Sequence, residues 1–129
     1  ATVPAWREGV RWFPDHDLDV LAFTLDKSGA RFSPTTRYRD YAISPRLIHW
    51  ESQSTTREDS ETGRRYQRHS ETGSSVLMFA RATTDDRAFW FLGPANYVSH
   101  EGERPMAIRW ELDEPLSGDM FAQFAAAVS

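Results

Sequence analysis

The stretch "HWESQSTTREDSETGRRYQRHSETGSS", residues 49–75, holds two histidines, four arginines, five acids and ten serines or threonines with hardly an aliphatic side chain. Such a stretch can serve a metal or acid–base centre, a nucleophile with its base, or a grip on an anion. A metal-dependent nuclease needs carboxylates and a charge-stabilising lysine converging on one phosphate. Asp40 followed by Glu51-Ser52-Gln53 has a loosely similar spacing, with His49 alongside, but Gln53 stands where the lysine is required. His49 and His69 lack the short spacing and the third ligand of a zinc site. A serine nucleophile would want a G-x-S-x-G elbow, and the chain has none. Cysteine is absent, which removes thiol nucleophiles, disulfides and sulfur-ligated zinc, and fits a reducing cytoplasm. The expected sets of catalytic residues, metal ligands and cofactors are therefore all empty.

Anion binding is the chemistry that remains. Arg64, Arg65, Arg68 and His69 surround Tyr66, with Arg57 shortly before them. Arginine forks hold phosphates or guanine edges in two-point contacts, and a tyrosine can stack on a base. Residues 31–70 carry eight arginines against five acids, whereas the rest of the chain has seven cations against fourteen acids. Fourteen of the fifteen cations are arginine, so the chain favours planar, directed contacts over diffuse attraction. The overall net charge of −4 speaks against coating nucleic acid by bulk electrostatics. The expected DNA-binding set has arginine anchors at Arg37, Arg39, Arg46, Arg57, Arg64, Arg65 and Arg68. Tyr38, Tyr41, Tyr66 and Tyr97 are its candidate readers, His49, Gln53 and Ser54 add hydrogen bonds, and His69 joins the set as part of the basic cluster. Two rival readings stand beside it. In one, a protein-interaction module turns its arginines to an acidic partner; in the other, Asp40, Glu51 and His49 form a metal-dependent nuclease.

The elements that must position these residues follow from periodicity. The length of 129 residues suits one domain, residues 1–129. "DVLAFTLDKS" alternates as a strand ending at the turn "SGA", and "SPTTRYRDYAIS" reads as a loop or a single helical turn. "RLIHWESQ" reads as a half-buried strand with Leu47, His49, Glu51 and Gln53 on one face. "SSVLMFARA", "AFWFLGP" and "PMAIRWEL" are three further strands, separated by "TTDD" and "SHEGERP". That division leaves Tyr97, Ser99 and His100 in a connecting loop. Residues 53–74 are too long for a structureless connection, and Thr62-Gly63 and Thr72-Gly73 signal turns around "RRYQRHSE", so an ordered excursion or an extra hairpin is expected. "LSGDMFAQFAAAVS" reads as a C-terminal helix with Ser117 as its N-cap.

The expected fold is mainly β, of the α+β class. It is a small curved antiparallel sheet or β-barrel of five to six strands, with one or two helices including the C-terminal one. Residues 1–18 are expected to be a linker or docked N-terminal extension, and residues 19–129 the barrel-like binding domain. No apolar run approaches the roughly 20 residues that span a bilayer, so no membrane partner is expected.

The strings "FSPTTRYRDYAISPRLIHWESQSTT", "TGRRYQRH", "GSSVLMFAR", "FLGPANYVSHEGERPMAIRWEL" and "PLSGDMF" together resemble the DUF3427 family over residues 18–121. The resemblance implies the C-terminal region of a bacterial protein with an upstream superfamily 2 helicase core and, often, a nuclease module. Such company is similar to modification-dependent restriction systems, in which a β-rich domain of the SRA or PUA-like kind reads modified DNA. It therefore implies double-stranded, methylated or otherwise modified DNA as partner, with 5-methylcytosine the first candidate. No binding residue carries over from those readers.

Overall fold

The computed structural model describes residues 2–4, 9–24, 40–81 and 88–125. In chain order the elements are β1 (Thr2–Pro4), β2 (Gly9–Phe13), a 3-10 turn (Pro14–His16), β3 (Leu18–Thr24), β4 (Tyr41–Ala42) and β5 (Leu47–Glu51). Then follow α1 (Glu61–Thr72), β6 (Ser75–Arg81), β7 (Ala88–Glu101), β8 (Ala107–Leu112) and α2 (Gly118–Ala125). The proposed turn "TTDD", the turn "SGA" and the segment holding Arg37, Tyr38 and Arg39 lie outside the described residues.

Alternation decides which face of each strand is buried. Ile48 and Trp50 of β5 are buried while Leu47, His49 and Glu51 are half-buried, as the period-two pattern of "RLIHWESQ" requires. Val76, Met78 and Ala80 of β6 and Ile108, Trp110 and Leu112 of β8 join the same core. The strands run in the order β2-β3-β6-β7-β8-β5-β4, and β1 pairs with the first residues of β7. The fold is α+β and mainly β, as expected. Two details of the expectation are corrected: the sheet is mixed and open, and it has more strands than five or six. The mixing comes from β3 and β6, which run parallel from Leu18↔Ser75 to Thr24↔Arg81. A parallel pair cannot be closed by a hairpin, so the chain between them must cross over, and this crossover carries β4, β5 and α1. The extra strands are β1 and β2 of the N-terminal segment and β4, where Tyr41 and Ala42 pair with His49 and Ile48 in a segment expected to be a loop or a single helical turn. Residues 9–13 are a hydrogen-bonded edge strand on β3.

The polar stretch is an ordered excursion, one of the two forms expected, and the other is corrected: residues 61–72 form a helix and no hairpin. Ser60 caps it, its Oγ accepting the Gly63 N–H at 3.1 Å, and Gly73 ends it in the left-handed conformation (φ 80°). Thr72-Gly73 was thus a helix stop, while Thr62-Gly63 lies within the first turn. The buried stripe consists of Gly63, Tyr66 and His69, a glycine, a phenol and an imidazole that aliphatic periodicity does not register. A second correction concerns Tyr97, Ser99 and His100, which belong to β7. That strand continues across a bulge at Val98, with Tyr97 opposite Trp110 and Ser99 opposite Arg109.

Trp110 stands at the centre of the core. Trp50, Tyr66, His69 and Tyr97 all have ring centroids within 6.4 Å of it. α2 lies on the same face through Phe124, and its Met120 N–H donates to Ser117 Oγ at 3.2 Å, the expected cap. His69 does more than fill space. Its Nε2 accepts the Tyr97 N–H at 3.0 Å, which leaves Nδ1 as the donor to the Ser74 carbonyl at 3.4 Å. Continuing the β6–β7 register by two residues sets Ser74 opposite Tyr97. The imidazole therefore stands in for a sheet rung where β6 has not yet begun.

Two outcomes follow. A Cβ on Gly63 would overlap the Arg57 carbonyl oxygen and lie 3.1 Å from Glu58 Cα, so Gly63→Ala should lower the urea midpoint by the equivalent of about 1–3 kcal/mol. Burial, then the Asp19 carboxylate, raise the Tyr66 pKa well above its ordinary value, against the opposing charge of Arg65. The folded state thus prefers the neutral phenol. This contribution is complete below the unfolded pKa near 10 and is lost as pH rises above it. Alkaline titration followed at 295 nm should show Tyr66 ionising only with unfolding, and Tyr66→Phe should flatten the loss of stability above pH 10.

Candidate functional site

Residues on one side of a helix recur at three and four positions, and Glu61, Arg64, Arg65, Arg68 and Thr72 follow that spacing along α1. They form one wall of a cleft of about 350 Å³. Trp12 of β2, Asp17 after the 3-10 turn and Ser74 complete it. Arg65 is its fixed member. Its Nε donates to Asp19 Oδ2 at 2.7 Å and its NH2 to Asp19 Oδ1 at 2.9 Å, while its guanidinium carbon lies 4.2 Å from the centre of the Trp12 ring. Asp19 is fully buried in β3, so this two-point contact replaces the water it has lost. Burial opposes the charge on Arg65, but the hydrogen bonds and charge of Asp19 outweigh it and raise the Arg65 pKa.

Arg64 and Arg68 are different. Both are exposed, and neither pairs with a carboxylate among the described residues. The cleft thus offers two uncommitted guanidinium groups beside an indole, with Glu61 and Asp17 tempering the charge. Arg64 and Arg68 stand four residues apart, with α1 kinked at Arg68 (φ −117°, ψ 15°), and guanidinium forks of this kind suit the oxygens of a phosphate.

The remaining expected residues do not converge here. Tyr66 and His69 are core residues, because the helix turns them onto Trp110 and away from solvent. Arg57 is exposed and pairs with Asp59 at 3.1 Å. Arg46, Gln53 and Ser54 are exposed beyond the two ends of β5. Tyr41 and His49 stack on each other, 4.7 Å between centroids, on the sheet face away from the helices. Tyr97 is half-buried, and its hydroxyl is 2.7 Å from His100 Nδ1; His100 Nε2 is 3.0 Å from Glu58. Burial, then Glu58, raise the Tyr97 pKa, so the phenol keeps its proton, and a Glu58 carboxylate can only accept, so His100 Nε2–H donates to it.

Asp40 does approach Glu51, accepting its backbone N–H at 3.0 Å. Yet among the described residues no three His, Asp or Glu side chains are grouped to hold a metal ion. Sequence reasoning left Trp12 out of the site, placing it in a linker or docked N-terminal extension, and missed Asp19. The signal for Asp19 was available: an acid inside "LDVLAFT" must be buried if the strand is, and a buried acid needs a cationic partner.

Among protein families, the model described as a domain of unknown function (DUF3427) matches residues 5–124. The chain belongs to the DUF3427 family. Comparison with curated proteins gave no match. In this DUF3427 domain the cleft's integrity rests on Asp19. Asp19→Ala would leave Arg65 without its counter-charge and should cost about 3 kcal/mol, the low end for one partner of a buried pair, since one edge of Arg65 reaches water. Chemical denaturation of this variant, with Arg65→Met beside it, measures the effect. The double variant should be more stable than Asp19→Ala alone.

Proposed function

We propose that this domain is a non-catalytic DNA-binding module that anchors a phosphate in the α1 cleft and targets the protein it belongs to, a helicase or nuclease of the restriction kind, to modified DNA. The observation that carries this reading is the pair Arg64 and Arg68, exposed on one side of α1 and without acidic partners among the described residues. A surface that merely dissolves the domain would pair these arginines with Glu61 and Glu71 on the same helix, as i,i+3 neighbours can. Arg65 supports the pair by position, since Asp19 and Trp12 hold it rigidly beneath them. Phosphate contacts of this kind set register and affinity and carry no sequence information. The finer part of the proposal, a preference for a modified base such as 5-methylcytosine, needs an apolar contact placed within the anchored complex.

A protein-docking function is the second reading, and one observation favours it. Trp90 and Phe91, on opposite faces of β7, are 52% and 41% exposed, and Phe91 has Phe79 beside it at 5.0 Å between ring centroids, so one face presents a pair of aromatic rings.

Matched duplexes, unmodified or carrying 5-methylcytosine, hydroxymethylcytosine, N6-methyladenine or phosphorothioate, separate these readings in a binding titration. Arg64→Ala with Arg68→Ala should weaken every duplex alike, roughly tenfold or more, and reduce the slope of log affinity against log salt by about 2. Wild-type protein that binds no duplex at low salt would favour the docking function.

A further inference from the structure

The sheet face away from the helices carries a row of side chains that the α1 cleft does not use. Tyr41 of β4 is the register partner of His49 on β5, His49 of Arg109 on β8, and Arg109 of Ser99 on β7. Four side chains thus stand abreast across four strands, over roughly 14 Å at the usual strand spacing. Their neighbours Ala42, Ile48, Trp50, Ile108 and Trp110 occupy the alternate positions and point into the core. The row therefore faces the other way.

Its geometry is that of a stack. The Tyr41 and His49 rings are nearly parallel, 14° between planes. Arg109 is tethered next to them, its NH1 donating to Ser99 Oγ at 3.0 Å and its NH2 to Glu101 at 3.2 Å. All four side chains are partly exposed. Tyr41 lies on the last strand of the sheet path, so no described strand flanks the outer side of its ring.

The charge around the row selects the ligand. The flanking positions hold Glu111 on one side and Glu51 and Glu101 on the other. Three acids beside one arginine repel phosphate oxygens, so the row suits the flat ring of a nucleotide better than its backbone. Stacking on aromatic side chains is the common way in which unpaired bases are held, and it tolerates any base because each has a π-face.

We infer that the Tyr41–His49–Arg109–Ser99 row binds an unpaired nucleobase, which extends the stack from Tyr41. Arg109 and Ser99 offer donors to the adjoining nucleotide. The inference rests on the nucleic-acid reading for the source of that base, and it assigns base contact and phosphate contact to opposite sides of the sheet. A free mononucleotide presents the same ring and is the alternative source.

Fluorescence anisotropy with a labelled dodecamer of deoxyadenosine tests it, against an abasic strand with the same phosphates. The wild type should bind the base-bearing strand at least tenfold more tightly than the abasic one. Tyr41→Leu should abolish that difference and Tyr41→Phe should keep it, with thermal melts establishing that both variants fold. Equal affinity of the wild type for the two strands overturns the inference, even if Tyr41→Leu fails to fold. So does a Tyr41→Leu protein that still distinguishes them. Adenosine monophosphate as competitor sorts the source: displacement at its own Tyr41-dependent affinity points to the free nucleotide, and no displacement points to the strand. The variant lacking Arg64 and Arg68 keeps the outcomes separate. If it loses duplex binding while the abasic comparison shows no preference, only the stacking row fails; if the preference holds and the wild type binds no duplex, only the cleft fails.

Discussion

The seating of α1 on Trp110 is the contact on which the rest of the structure depends. A helix whose exposed side is almost wholly polar cannot hold itself by apolar area, so it relies on three positions, Gly63, Tyr66 and His69. Gly63 permits close approach of the preceding turn, Tyr66 fills the space between Trp50 and Trp110, and His69 completes the β6–β7 ladder with its ring. Each does a different job, and aromatic edge-to-face packing with one imidazole bridge replaces the leucine stripe of an ordinary surface helix. The arginines of α1 face the cleft only because this seat sets the rotation of the helix.

Charge is then handled in two ways on the same helix. Arg65 is committed to Asp19 and Trp12, and the pair replaces by hydrogen bonds what burial takes from both ions. Arg64 and Arg68 are exposed and, among the described residues, pair with no carboxylate. The same turn of helix therefore contains a structural arginine beside two available ones. Residue type and spacing alone do not separate them, because the distinction lies in whether β3 offers a carboxylate below.

The bulge at Val98 acts on a similar scale. On a regular strand, residues three apart point to opposite faces, so Tyr97 and His100 would not meet. The extra residue brings them to one face and into line with Glu58, which ties the turn before α1 to β7. Ser99 is turned to the other face by the same bulge and there supports Arg109. One inserted residue thus organises both sides of the sheet.

The amino-acid sequence by itself determined the α+β class, the strands around Ile48, Met78, Phe89 and Trp110, the C-terminal helix with its Ser117 cap, and membership of the DUF3427 family. These are local signals: period-two burial, a capping hydroxyl and long matched strings each act within a few residues of themselves. Only the tertiary structure decided that "RRYQRH" is helical, that Tyr66 and His69 are core, that Trp12 belongs to the cleft, and that Tyr41, His49, Arg109 and Ser99 share a row. Every one of those facts depends on a partner far away in the chain, Asp19 for Arg65, Trp110 for Tyr66 and Tyr97 for His69. Sequence spacing carries no distance between residues joined through a parallel crossover and a seven-strand path, which is why the available cations and the structural ones looked alike until the chain was folded.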